Sequence, residues 1–114
     1  MSKIMIRGEF PIHPGKLDQA KAAAHSLHER VLREDKGVLL YEFFVDDAGQ
    51  TMAITEAYVD EPSLLNHINA SDFTQIFATL DFSQANLQIH GALSADMLAK
   101  LGAIAGPFQL FGPI

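Results

Sequence analysis

The sequence predicts an α+β fold in the order strand, helix, strand, strand, helix, strand, and three observations carry that prediction. Apolar residues alternate with others over Lys3 to Ile12 and again over Ala85 to Leu93, the period of a half-covered strand. Apolar residues recur at helical spacing over Leu17 to Val31 and over Leu64 to Phe77, as they do in a helix with one buried side. Between these, Asp46-Asp47-Ala48-Gly49 reads as a hairpin turn joining the run Val38 to Val45 to the run Gln50 to Val59.

Taken in order, the first strand places Ile4, Ile6, Gly8, Phe10 and Ile12 on one face and Met5, Arg7 and Glu9 on the other. Pro14-Gly15 breaks it and opens a helix that runs to about Arg33, with Asp35-Lys36-Gly37 as its stop. The second strand, Val38 to Val45, offers apolar side chains to both of its faces. On the third, Met52, Ile54, Glu56 and Tyr58 share one side and Ala53, Thr55, Ala57 and Val59 the other, which puts a carboxylate on the greasier face. A short acidic break leads to the second helix, whose apolar side carries Leu64, Leu65, Ile68, Phe73, Ile76 and Phe77. In the last strand Leu87, Ile89, Gly91 and Leu93 oppose Gln88, His90 and Ala92. Ser94 reads as the N-cap of a short extra helix, Ala95 to Ile104, and an apolar tail follows. Phe108, Leu110 and Phe111 are too apolar to stand free in water, so the tail is expected to pack on its own core or on a partner subunit.

This order is the ferredoxin-like unit, a four-stranded antiparallel sheet with two helices on one face. It assigns residues 1–93 to the main domain and 94–114 to the C-terminal helix and tail. Helices on one side leave the other face of the sheet bare, and the two-sided second strand makes pairing of sheet on sheet in a homodimer the expected solution.

Composition narrows the function. A chain of 114 residues is one domain's worth, near the size where a partner subunit helps to complete a core. Its apolar runs are too short to span a bilayer, and Met1-Ser2-Lys3 leads straight into the first strand without an export signal, so no membrane partner and a cytoplasmic location are expected. The absence of Cys removes disulfides, thiolate catalysis and Cys-based metal sites. A net charge of −6 with scattered Lys and Arg argues against nucleic acid.

The chain is organised around Met52 to Phe77, where a strand ending in Glu56-Ala57-Tyr58 is followed by a helix carrying His67. If helix and strand pack together, Glu56 and His67 meet beneath them. This run resembles the Glu-x-aromatic strand, acidic or polar break and Leu-x-x-His-Ile/Leu helix of the antibiotic biosynthesis monooxygenase (ABM) domain family. His13 to Leu17 is similar to that family's passage from first strand to helix, and Lys36 to Glu42 to its second strand after a Gly. The resemblance implies a dimeric α+β barrel. It also implies a chemistry: an electron-rich phenol or quinol, once deprotonated, passes electrons to O2 directly, so that a dry aromatic pocket and a proton acceptor suffice and no cofactor is needed. The heme-degrading relatives use an Asn in the first strand, a Trp on the third and a ligating His late in the second helix. This chain has none of these, with Phe77-Ala78-Thr79 at the end of that helix, and heme oxygenation is disfavoured.

Glu56 and His67 are the leading catalytic candidates, because a carboxylate that fixes the tautomer of an imidazole and favours its charged form makes a proton acceptor near neutral pH. The competing reading is a buried pair that ties helix to sheet. Tyr58, on the same face as Glu56, stands where the resemblance places an aromatic and could hydrogen-bond a quinone-like oxygen; a core or rim position is its other reading. Tyr41, Phe43, Phe10, Phe73 and Phe77 are candidates to line a pocket for a small, flat aromatic molecule, or are simply core. Arg7, Glu9, Gln88 and His90 gather on one face if the first and last strands are neighbours, as a solvated or interfacial strip. His13 reads as a loop residue. His25 and His28, one helical turn apart, lack the carboxylates of a metal site, and no metal is expected. No Gly-x-Gly-x-x-Gly stretch marks a nucleotide cofactor. The chain is therefore expected to be a cofactor-independent monooxygenase for a small phenolic or quinol compound, or alternatively a non-catalytic dimeric ligand-binding or interaction protein of the same fold.

Overall fold

The structure, a computed structural model, describes residues 3–114. The absence of an export signal at Met1-Ser2 is a reading that lies outside the described residues. The strands are β1 (Ile4–Pro11), β2 (Val38–Val45), β3 (Thr51–Tyr58), β4 (Asn86–His90) and β5 (Gln109–Phe111), and the helices α1 (Leu17–Glu34), α2 (Glu61–Ala70), α3 (Thr74–Thr79) and α4 (Ala95–Ala105). The α+β ferredoxin-like order is present, with the sheet arranged β2-β3-β1-β4-β5.

Two features differ from the sequence reading. The sheet has five strands, not four, because Gln109 to Phe111 of the tail pair in parallel with Gln88 to His90. Three residues are too few to show a period, so the tail carried no strand signal of its own. The second helix is broken in two. The Ser71 hydroxyl donates to the His67 carbonyl (2.6 Å) while its backbone is extended, and Asp72 accepts from the Thr74 N–H (3.0 Å) to start the next helix. The first helix begins at Leu17 rather than at the Pro-Gly pair, since Gly15 has φ +78°, outside the helical region.

β1 pairs antiparallel with both β3 and β4, so its alternation decides both faces of the sheet. Ile4, Ile6 and Phe10 point to the helical layer and are buried with Met52, Tyr58, Leu87 and Ile89. From above, α1 contributes Ala20, Ala24, Leu27 and Val31, α2 Leu64, α3 Ile76 and α4 Met97 and Leu101. A buried Leu, Ile or Phe stabilises by roughly 1.5–3 kcal/mol, so this one layer supplies most of the driving force for folding. Among the described residues, no helix covers the opposite face. There a β-bulge at Leu39 offsets β2 against β3, and the register then lines up Leu40, Ala57, Met5, His90 and Phe111 as a row across the five strands. The adjacent row is polar: Glu42, Thr55, Arg7, Gln88 and Gln109.

Candidate functional site

Glu56 stands in the middle of the sheet's helical face, in register with Tyr41 on one side and Ile6 on the other. His67 reaches it from above on α2. That helix starts where Asp60 accepts from the Ser63 N–H (2.9 Å) and hydroxyl (2.6 Å), with Pro62 in the first turn, where its missing N–H costs nothing. Leu64 and His67, one turn apart, form the buried side of α2.

The structure brings Glu56 and His67 face to face, with Nε2 of the imidazole 3.9 Å from Oε1 of the carboxyl. The carboxylate that holds the ring is a different one. Nδ1 of His67 lies 3.0 Å from Oδ2 of Asp35, whose side chain is 1% exposed, and Asp35 in turn receives two hydrogen bonds from Arg30, at 3.0 and 2.9 Å. Arg30 also donates to the Ser71 hydroxyl at 2.6 Å, which ties the end of α1 to the break between α2 and α3. Burial tends to raise the Asp35 pKa, but the hydrogen bonds and charges of Arg30 and His67 outweigh it and leave Asp35 below the usual carboxylate range. Burial pushes His67 down, against the pull of Asp35, so at neutral pH the ring is uncharged. With Nδ1–H donated to Asp35, the lone pair is on Nε2 and faces Glu56. Sequence reasoning expected Glu56 to hold a charged His67; Asp35 orients the ring instead, and burial keeps it neutral.

Glu56 is the perturbed carboxyl of the site. Burial raises its pKa to about 7, and the hydrogen bond donated by the Tyr58 hydroxyl offsets only part of that. Burial also raises the phenols of Tyr58 and Tyr41, with the nearby Glu56 charge adding to it, and keeps both protonated.

In front of Glu56 and His67 is a cavity of about 100 Å³ between sheet and helices. Its lining includes Glu56, His67, Tyr41, Phe43, Phe10, Phe73 and Phe77, so seven of the eight side chains singled out in the sequence meet there. Tyr58, fully buried, does not line it and reaches the site only through Glu56. The rings form a connected belt: Tyr41 lies edge-on to His67 at 4.9 Å, and Phe73, Phe77, Phe82 and Phe10 follow one another with centroids 5.6, 4.7 and 4.6 Å apart. A carboxyl and an imidazole thus look into a mostly apolar, aromatic space, where a proton can be taken from a bound group at little cost in water reorganisation.

Sequence reasoning missed Asp35, Arg30, Phe82 and the contribution of α4. Asp35 was visible only as part of a helix stop, and no spacing links it to His67, because the two meet through the fold. The other candidates lie elsewhere. Arg7 and Gln88 pair across β1 and β4 on the open face, and His13 is in the turn before α1. Nε2 of His28 is 3.5 Å from Oε2 of Glu42, and among the described residues no group of three or more His, Cys, Asp or Glu could hold a metal ion. Among the described residues no helix is long and apolar enough to cross a membrane.

Fold and geometry define the class: a ferredoxin-like α+β domain whose helical layer closes an aromatic cavity over one buried carboxyl. The chain belongs to the antibiotic biosynthesis monooxygenase family, whose profile matches residues 3–79. Among solved structures, MupZ from Pseudomonas fluorescens is similar at a TM-score of 0.73 and 23% identity, over 98% of this chain and 90% of that one. A conserved protein from Methanosarcina mazei Go1 is similar at 0.65 and 24% identity, over 78% of this chain and 91% of that one. A candidate antibiotic biosynthesis monooxygenase from Caulobacter crescentus CB15 gives 0.68 and 15%, over 82% of this chain and 92% of that one. No curated protein matches the sequence.

Proposed function

We propose that the protein is a cofactor-independent monooxygenase that oxidises a small phenolic or quinol compound with O2. The observation that carries this reading is Glu56: a carboxyl with a pKa of about 7, held by Tyr58 and facing an aromatic cavity that a neutral imidazole also lines. Ionised Glu56 takes the proton of the bound phenol, and the phenolate gives up electrons to O2. A ring C–H carbon becomes C=O; one oxygen atom enters the substrate, the other leaves as water with two hydrogens, and the substrate supplies all four electrons. Membership of a monooxygenase family supports the assignment.

The working unit in this proposal is a homodimer paired through the open face of the sheet. In its support, Met5, Leu40, Phe44 and Phe111 on that face are 42, 37, 58 and 40% exposed in the single chain. Oxygen consumption with a panel of hydroquinones and anthrones tests the activity. Uptake that depends on the protein and is lost in Glu56→Gln is expected; binding of these compounds with no uptake would make the protein a ligand-binding member of the fold instead.

A further inference from the structure

One wall of the cavity comes from outside the family match. The matched region ends at residue 79, whereas Leu101, Ile104 and Ala105 of α4 line the space in front of Glu56 and His67. The placement of this helix is defined at both ends. At its start the Ser94 hydroxyl accepts from the Met97 N–H (3.1 Å), and the Ser94 N–H and hydroxyl each donate to the Glu61 carboxylate at 2.7 Å. Glu61 is in the first turn of α2, so α4 is tied to the helix that carries His67. At its end Gly106 turns the chain with φ +81°, and β5 then fixes it to β4. Between these anchors Met97 and Leu101 are 3 and 7% exposed.

The cavity, which is partly open to solvent, holds about 100 Å³, less than the roughly 150 Å³ of an apolar protein cavity that holds one benzene ring. Phe77, 40% exposed, lines this space, as do Leu101 and Ile104 of α4.

We propose that α4 is the specificity-determining wall of this site, and that Leu101 and Ile104 restrict its ligand to a phenol or quinol of one ring. The proposal rests on the reading of the cavity as a substrate site. Calorimetric titration under anaerobic conditions separates the two, because it reads binding without turnover. The probes are phenol, 1-naphthol and anthrone. The wild-type protein is expected to bind phenol in preference to both larger compounds, although their greater apolar area would otherwise favour them. Ile104→Ala and Leu101→Ala are expected to tighten 1-naphthol by about tenfold or more while changing phenol much less. Ile104 is only half-buried, so its variant carries the test if Leu101→Ala does not fold. Wild-type binding of 1-naphthol or anthrone as tight as that of phenol would overturn the wall and leave the substrate site standing, as would a 1-naphthol to phenol ratio that Ile104→Ala leaves unchanged. No binding of any probe by the wild type would overturn the substrate site and the wall with it.

Discussion

Burial gives Glu56 opposite effects on stability and on reactivity. Its folded pKa of about 7 lies above the ordinary carboxyl value of 4.5, so between these values the native state holds a proton that the unfolded chain has lost. Stability therefore falls as pH rises from 4.5 to 7, by up to about 3 kcal/mol, and stays lower above that window. Glu56→Gln keeps the shape without the charge. It is expected to melt higher than wild type at pH 8, with the gap closing toward pH 4, a comparison that scanning calorimetry makes directly. Proton abstraction by Glu56 has the reverse dependence, and oxygen uptake should rise with pH through about 7. Asp35 behaves differently, since its charge is satisfied by Arg30 and His67. Asp35→Asn leaves Arg30 partly buried without its anion and should cost about 3 kcal/mol in urea unfolding. Sequence reading found Glu56 and His67 because each lies on an amphipathic element whose period exposes its facing. It missed Asp35 because a turn residue has no period to betray what it faces.

Among the elements, those with long apolar patterns were legible: β1, α1, β3 and the core of β4 lie where alternation or helical spacing put them, and β2 where a continuous apolar run put it. The break between α2 and α3 was not, because Phe73, Ile76 and Phe77 continue the apolar spacing across it while Ser71 and Asp72 redirect the backbone hydrogen bonds. α4 was legible from Ser94, whose side chain does cap the helix. Its attachment to Glu61 was not, being a contact between segments far apart in the chain. Ser94→Ala removes the cap and one of the two bonds to Glu61. A loss of about 1 kcal/mol is expected, measured as a lower melting temperature with an unchanged far-ultraviolet circular dichroism spectrum at 20 °C, roughly room temperature.

At the scale of the whole molecule, the sheet has one face covered by helices and one bare, and the bare face is patterned. A row from Leu40 to Phe111, apolar except for His90, runs beside a polar row from Glu42 to Gln109. Pairing of two copies in the proposed homodimer would bury the first row, so Met5→Lys at its centre should shift the mass seen by light scattering at micromolar concentration from two chains to one. A wild-type protein that scatters as a single chain there would remove the dimer from the proposal. The sequence allowed this expectation because both faces of Val38 to Val45 are apolar. The row itself depends on the bulge at Leu39 and on the tail strand, which no local pattern announced.

The cavity above Glu56 also has a thermodynamic consequence. A molecule that binds the folded chain and not the unfolded one stabilises by mass action, by about 2.7 kcal/mol at a hundredfold excess over its dissociation constant. A phenol held in the proposed site should therefore raise the melting temperature progressively with its concentration, and a melting temperature that does not move at high phenol would count against binding there.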